Sequence, residues 1–276
     1  MTDRYALFGN PAKHSKSPMI HAAYARATGQ DMTYEVIEAP VDGFAAAVAA
    51  FRAEGGRGGN VTMPFKLEAF ALASDLSERA RLAGAVNTLK FDGDRIHADN
   101  FDGVGLVNDI QRNLGLSIAG RRVLMLGAGG AVRGALLPIL EQRPAQLVVV
   151  NRTVAKAETL GEQFGKFGNL VTGGYEKIAD MGQQPFDLVI NGTSTSMRGE
   201  LPPITRAAFA PGALAYDLVY GKGLTPFLRL ARDAGAGRLA DGVGMLVEQA
   251  AEGFFFWRGV RPETRAMIEA LAVPLG

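Results

Sequence analysis

The chain has 276 residues, with 29 Lys and Arg against 28 Asp and Glu and a net charge of +1. That length allows one large or two ordinary domains, and balanced charge argues against nucleic acid or a membrane surface as the main partner. Cysteine is absent, which excludes a disulfide framework, a thiolate nucleophile and a thiolate zinc site. No run of about 18 apolar residues is present to span a bilayer, and the opening MTDRYALFGN lacks a signal-peptide pattern. The expectation is a soluble cytoplasmic protein.

Tyr5–Phe8 predicts a strand that turns at Gly9-Asn10-Pro11. Ser17 then reads as the N-cap of a helix with Pro18 in its first turn and Gly29 as its stop. Ser15 and Ser17 are either caps alone or two hydroxyls able to hold a ligand carboxylate. Thr33–Ile37 predicts a strand, Phe44–Phe51 a helix and Gly55–Gly59 a glycine-rich loop. Asn60–Met63 predicts a short strand entering Pro64-Phe65-Lys66. Lys66 falls in the first turn of a helix, where the dipole disfavours a cation; an ordinary surface lysine is the default reading, and the strand-to-helix corner makes this one a candidate for chemistry.

Leu76–Ala83 predicts a helix. Ala85–Phe91 and Arg95–Ala98 predict two strands across Asp92-Gly93-Asp94, bracketing Asn87 and leading to Asp99-Asn100-Phe101-Asp102-Gly103. Val104–Leu114 reads as a connecting helix. Past Arg121 the pattern alternates, with strands at Val123–Leu126, Gln146–Val150, Leu188–Ile190 and Leu214–Leu218 and helices at Ala131–Leu140, Val154–Phe164 and Ile204–Phe209. Such alternation predicts a parallel sheet with right-handed crossovers. Thr225–Ala234, Met245–Trp257 and Glu263–Leu271 complete the helices. His14, His21 and His97 are scattered, no metal-ligand spacing is present, and there is neither a nucleophile elbow nor a P-loop.

The most informative stretch is Arg121–Ala135, RRVLMLGAGGAVRGA. An apolar strand drops into Gly127, Gly129 and Gly130, and a helix follows, as a dinucleotide fold places a pyrophosphate on a helix N-terminus. Val132 occupies the place of the usual third glycine. The next strand ends in Asn151-Arg152-Thr153, with Lys156 one helical turn on, where an NAD site would present a carboxylate. Arg152 offers a planar fork for a 2′-phosphate, so the predicted cofactor is NADP(H).

GNPAKHSKSP, GGNVTMPFK, LSERARLAGAVNTL, DNFDGVG, GAGGAVRG, NRT, NGTS, YDLVYGKGLTPF and DGVGMLVEQAA occur in this order along the whole chain. Together they resemble the shikimate dehydrogenase family. The resemblance implies a two-domain α/β protein with a cleft between its domains. A substrate domain, residues 1–103 completed by helices from 240–276, would accompany a Rossmann-type NADP-binding domain at 104–239. It implies reduction of 3-dehydroshikimate to shikimate with NADPH. It assigns Ser15 and Ser17 to the substrate carboxylate, and Thr62, Lys66, Asn87, Asp102, Tyr220 and Gln249 to ring hydroxyls or the reacting oxygen. Lys66 and Asp102 are the acid–base pair it implies.

For the cofactor the resemblance implies Gly127, Ala128, Gly129, Gly130 and Ala131 at the pyrophosphate, and Asn151, Arg152, Thr153 and Lys156 at the 2′-phosphate. Thr193, Leu218, Gly242 and Glu78 would complete the site. A monomer or homodimer without metal is expected. Three positions depart from the family pattern: Phe101 stands for the usual Thr, Met63 for Val and Leu218 for Met. Phe101 beside Asp102 suggests a reshaped substrate pocket. That keeps open a paralogue acting on quinate or a related cyclic carboxylate, and more distantly a non-catalytic metabolite sensor.

Overall fold

A computed structural model describes residues 2–180 and 184–275. The chain divides into two compact units, Met1–Gly105 with Val247–Met267, and Leu106–Leu246 with Ile268–Gly276. Its first part contains β1 (Asp3–Gly9), α1 (Ser17–Thr28), β2 (Met32–Glu38), α2 (Phe44–Ala53), β3 (Gly56–Val61), α3 (Lys66–Leu72), β4 (Asp75–Leu76), α4 (Glu78–Ala83), β5 (Thr88–Asp92), β6 (Arg95–Asp99) and α5 (Asp102–Asn108). The second part contains β7 (Arg122–Leu126), α6 (Gly130–Glu141), β8 (Gln146–Val150), α7 (Val154–Phe164), β9 (Leu170–Gly173), α8 (Glu176–Asp180), β10 (Phe186–Asn191), β11 (Phe209–Asp217), α9 (Pro226–Asp233) and β12 (Arg238–Asp241). Helices α10 (Val243–Arg258) and α11 (Arg265–Leu271) close the chain.

The first unit carries a six-stranded sheet in the order β2-β1-β3-β5-β6-β4. β1 runs parallel to both β2 and β3, while β5 is antiparallel to β3 and to β6. Phe8, Phe44, Phe51, Phe65, Val86 and Leu89 fill one side of it. The fold corrects the reading of Gly55–Gly59 as a loop, because Gly56–Gly59 lie in the central strand β3. A Cβ on Gly58 would come within 2.5 Å of the Leu89 carbonyl oxygen, and one on Gly59 within 2.6 Å of that of Ala6. Glycine is there for close approach of neighbouring strands, not for a turn.

Three smaller differences have local causes. Ser17 is the first residue of α1 rather than its cap, and the Ser15 hydroxyl accepts the Ser17 N–H at 3.2 Å. Leu76 lies on the short strand β4, and α4 starts only after Ser77, whose side chain accepts from the Ala80 N–H. The helix expected over Val104–Leu114 passes from α5 into a wider π-turn over Asp109–Asn113.

The second unit holds a wholly parallel sheet in the order β12-β11-β10-β7-β8-β9. By order of appearance within the unit that is the doubly wound arrangement 3-2-1-4-5-6 read from its other edge. The helix expected over Ile204–Phe209 is only a single turn at Arg206–Ala208, and Phe209 already starts β11. β9 and β12 lie outside the predicted strands. Among the described residues no helix is long and apolar enough to cross a membrane.

Candidate active site

Strand register in the first unit gathers the polar residues at one end of the sheet. Phe8 pairs with Val61, Asn60 with Thr88, and Thr88 with Asp99, so the segments leaving β1, β3 and β6 meet the segment entering β5. Lys66 opens α3, and its Nζ donates to Asp102 Oδ2 at 2.6 Å. The two side chains are 30% and 16% exposed, open enough for a ligand and sheltered enough to strengthen the pair over a fully solvated one. Asn87 Nδ2 donates to the other carboxylate oxygen of Asp102 at 2.8 Å. The Asp102 N–H donates to Asn100 Oδ1 at 3.1 Å, and Asn100 Nδ2 is tied to the Ala85 carbonyl. Asp102 is thus an acceptor held from both sides, with a proton-bearing amine aimed at it.

The other residues singled out in this unit, with Glu78 expected at the cofactor, are placed as follows. Ser15 Oγ donates to Ser17 Oγ at 3.1 Å just ahead of α1. Thr62 follows β3, with its methyl group where a Cβ on Gly9 would overlap it. Gln249 is half-buried on α10, and Glu78 is exposed in the first turn of α4. Phe101 is buried, 4% exposed, with the Arg79 guanidinium 4.9 Å above its ring and Phe256 edge-on at 5.7 Å. Its ring belongs to the packing beneath the loop, and its N–H donates to Asn87 Oδ1 at 3.0 Å.

The second unit brings the predicted cofactor residues to the carboxyl ends of its strands. Gly127 follows β7 at φ +107°, a conformation that favours glycine. Gly129 precedes α6, and a Cβ on Gly129 or Gly130 would meet nothing within 4 Å. Gly129, Gly130 and Ala131 are exposed, which leaves the start of α6 accessible to an anion. Val132, at the usual third glycine, is accommodated by Gly192, where a Cβ would overlap Val132 Cγ2. Arg152, Thr153 and Lys156 are exposed around the start of α7, and Asn151 Nδ2 donates to the Thr153 carbonyl. The two exposed cations suit a 2′-phosphate, with no carboxylate at the end of β8 to oppose it.

Thr193 donates to Asn191 Oδ1 at 2.7 Å. Leu218 and Gly242 are neighbours, since a Cβ on Gly242 would overlap the Leu218 carbonyl oxygen. Tyr220 is 44% exposed on the loop after β11. Sequence reasoning missed Asp217, fully buried at the end of β11 and accepting from Asn191 Nδ2, Ser196 Oγ, Thr225 Oγ1 and the Val219 N–H. Burial pushes its carboxyl up against the pull of those donors. It ties the loops after β10 and β11 together. The available signal was an acidic residue inside an otherwise apolar strand. Tyr34, Asn60 and Thr88 were missed in the same way. Among the described residues no cluster of His or carboxylate side chains could hold a metal.

One unit with a dinucleotide-type sheet and another with a Lys–Asp–Asn cluster define an α/β oxidoreductase that uses a nicotinamide cofactor. Residues 7–89 match the shikimate dehydrogenase substrate binding domain, residues 109–198 the shikimate/quinate 5-dehydrogenase family and residues 242–272 the shikimate 5′-dehydrogenase C-terminal domain. A shikimate dehydrogenase (NADP(+)) of Nitrosospira multiformis is 58% identical, covering 100% of this chain and 99% of its own. The crystal structure of an Ael1 enzyme from Pseudomonas putida is 55% identical with a TM-score of 0.94, covering 100% of both chains. Shikimate 5-dehydrogenase of Thermus thermophilus, solved with NADP(H) and shikimate, is 31% identical with a TM-score of 0.85, covering 98% of each chain. The chain belongs to the shikimate dehydrogenase family.

Proposed function

We propose that this protein is an NADP-dependent oxidoreductase that interconverts 3-dehydroshikimate and shikimate on the route to aromatic amino acids. The observation that carries the reading is the Lys66–Asp102–Asn87 cluster, with Nζ to carboxylate at 2.6 Å, in a chain of this family. Bound NADPH supplies the hydride. As the ketone carbon accepts it, the carbonyl oxygen gains alkoxide character and needs a proton from within about 3 Å. Lys66 gives that proton and, until it does, stabilises the growing negative charge. Asp102 aims the ammonium, and Asn87 fixes the carboxylate. In the oxidation direction Lys66 takes the proton back, so its amine must be neutral at that moment.

Ser15 and Ser17 hold the substrate carboxylate, and Thr62 and Gln249 meet its ring. Gly127–Ala131 and the start of α6 hold the pyrophosphate, and Asn151, Arg152, Thr153 and Lys156 hold the 2′-phosphate. Thr193, Leu218 and Gly242 serve the nicotinamide end. Small molecules are the partners, and we place the protein in the cytoplasm as a monomer or homodimer. The test is reduced-nicotinamide absorbance with shikimate or quinate against NADP+ or NAD+. Shikimate with NADP+ should give the highest kcat/KM. Preference for quinate would move the protein to a related substrate. Binding of shikimate without NADPH formation in any pairing would refute the enzymatic reading.

A further inference from the structure

A hydrogen-bond chain runs through the first unit from the Tyr34 phenol, beside the serine pair, to the Lys66–Asp102 pair. Ser15 Oγ donates to Ser17 Oγ at 3.1 Å, and the Ser17 hydroxyl sits near enough to the Tyr34 phenol to hold its pKa down against the rise that burial imposes. Tyr34 OH donates to Asn60 Oδ1 at 2.8 Å, and Asn60 Nδ2 donates to Thr88 Oγ1 at 3.0 Å. Thr88 Oγ1 donates to Asn87 Oδ1 at 3.0 Å, and Asn87 Nδ2 donates to Asp102 Oδ1 at 2.8 Å. From Tyr34 onward every donor points toward the Asp102 carboxylate.

That direction is forced. Asn60 cannot turn its amide over, because its Nδ2 also donates to the Asn87 carbonyl, which only accepts. Its Oδ1 faces His21 Nε2 at 3.0 Å. Burial pushes the His21 pKa down to about 3, so the ring is neutral, with its one proton on the nitrogen facing Asn60. Asn87 cannot turn over either, since its Oδ1 receives the Phe101 N–H, which only donates. Between these two fixed amides the Thr88 hydroxyl has one orientation that satisfies both. Aligned bonds of this kind polarise one another in a low-dielectric interior.

We propose that Tyr34, Asn60 and Thr88 are positioning residues that couple the carboxylate-binding serines to the proton-transfer pair. The inference rests on the functional reading above. A carboxylate that takes the Ser17 hydroxyl removes its influence on the Tyr34 phenol, and the change passes along the chain to the Asn87 amide and Asp102. Thr88, fully buried, is the place to cut it, since Thr88→Val keeps the volume and removes the hydroxyl.

The test compares Thr88→Val, Thr88→Ser and Tyr34→Phe in the full chain. Thr88→Val should lower kcat for shikimate oxidation about five- to tenfold, leave the NADPH dissociation constant unchanged, and be rescued by Thr88→Ser. Tyr34→Phe should act mainly on the KM for shikimate. In 1H–15N spectra the side-chain amide of Asn87 should shift in Thr88→Val and Tyr34→Phe and return in Thr88→Ser. Equal losses in the Val and Ser variants, or unaltered kcat in Thr88→Val, would mean packing alone and overturn the proposal. An unmoved Asn87 amide would overturn it as well. If the unmutated protein fails to oxidise shikimate, the functional reading falls, and the Asn87 resonances then decide for or against the chain by themselves.

Discussion

Replacing Lys66 by Met separates chemistry from folding. The substitution keeps the aliphatic stem and removes the ammonium that reaches Asp102 at 2.6 Å. A positioned general acid contributes about 10²- to 10⁴-fold to a proton-transfer step, which at about 1.36 kcal/mol per decade is roughly 3–5 kcal/mol of transition-state stabilisation. The pair contributes far less to the fold. Its side chains are 30% and 16% exposed, Asp102 keeps its bond from Asn87, and part-exposed ion pairs are worth about 1 kcal/mol or less. Lys66→Met should therefore lower kcat by at least about a hundredfold while thermal unfolding barely moves. NADPH affinity measured by calorimetry should also hold, since the proposed pyrophosphate loop is in the other unit. Reduction of 3-dehydroshikimate would be followed by loss of NADPH absorbance. A kcat within about threefold of the unmutated enzyme would remove Lys66 from the proton step and leave the cluster as a structural ion pair.

Three further outcomes follow from the same geometry. His21 is fully buried, and its pKa falls from 6.5 to about 3. Its neutral form stabilises the fold at and above pH 6.5, and that contribution is lost as pH falls toward 3, because the unfolded chain binds a proton that the folded chain refuses. At pH 5 the loss is about 2 kcal/mol, and His21→Gln should flatten the slope in urea titrations followed by the fluorescence of the single tryptophan, Trp257; an unchanged slope would contradict the burial argument. Arg152→Ala should lower kcat/KM with NADP+ about 10- to 100-fold, the size of a charge-assisted contact, and leave kcat/KM with NAD+ nearly unchanged; equal losses with both would place Arg152 away from the 2′-phosphate. Gly192→Ala drives a Cβ into Val132 Cγ2 and should cost about 1–3 kcal/mol in unfolding experiments, with Val132→Ala added in the same chain restoring part of it; strict additivity would disprove the steric exchange.

Signals that live within a few residues were legible in the sequence. The apolar run into Gly127, the neutral end of β8 at Asn151, and the lysine at the strand-to-helix corner all follow from local chain geometry, and α7 and β8 fall at their predicted bounds. Features set by residues distant in sequence were not. Gly56–Gly59 read as a loop because glycine weakens an isolated strand, yet the backbones of β1 and β5 leave no room there for a Cβ. The edge strands β9 and β12 are only four residues each and carry little periodicity of their own. Val132, at the place of the usual third glycine, is matched by Gly192, sixty residues away in the chain and visible only in the fold.

The polar residues divide along the same line. Lys66 and Asp102 are 36 positions apart, Asn60 and Thr88 28, and Tyr34 and Asn60 26, so each pair exists only once β1, β2, β3, β5 and β6 are in register. A slip of one residue between β3 and β5 would turn Asn60 and Thr88 to opposite faces, leaving a buried amide unpaired at a cost of about 1–3 kcal/mol. The same hydrogen bonds that position Asn87 against Asp102 therefore also penalise the wrong register. In this unit specification of the sheet and alignment of the proton-transfer pair draw on one set of side chains, which explains why polar residues occupy the centre of an otherwise apolar sheet.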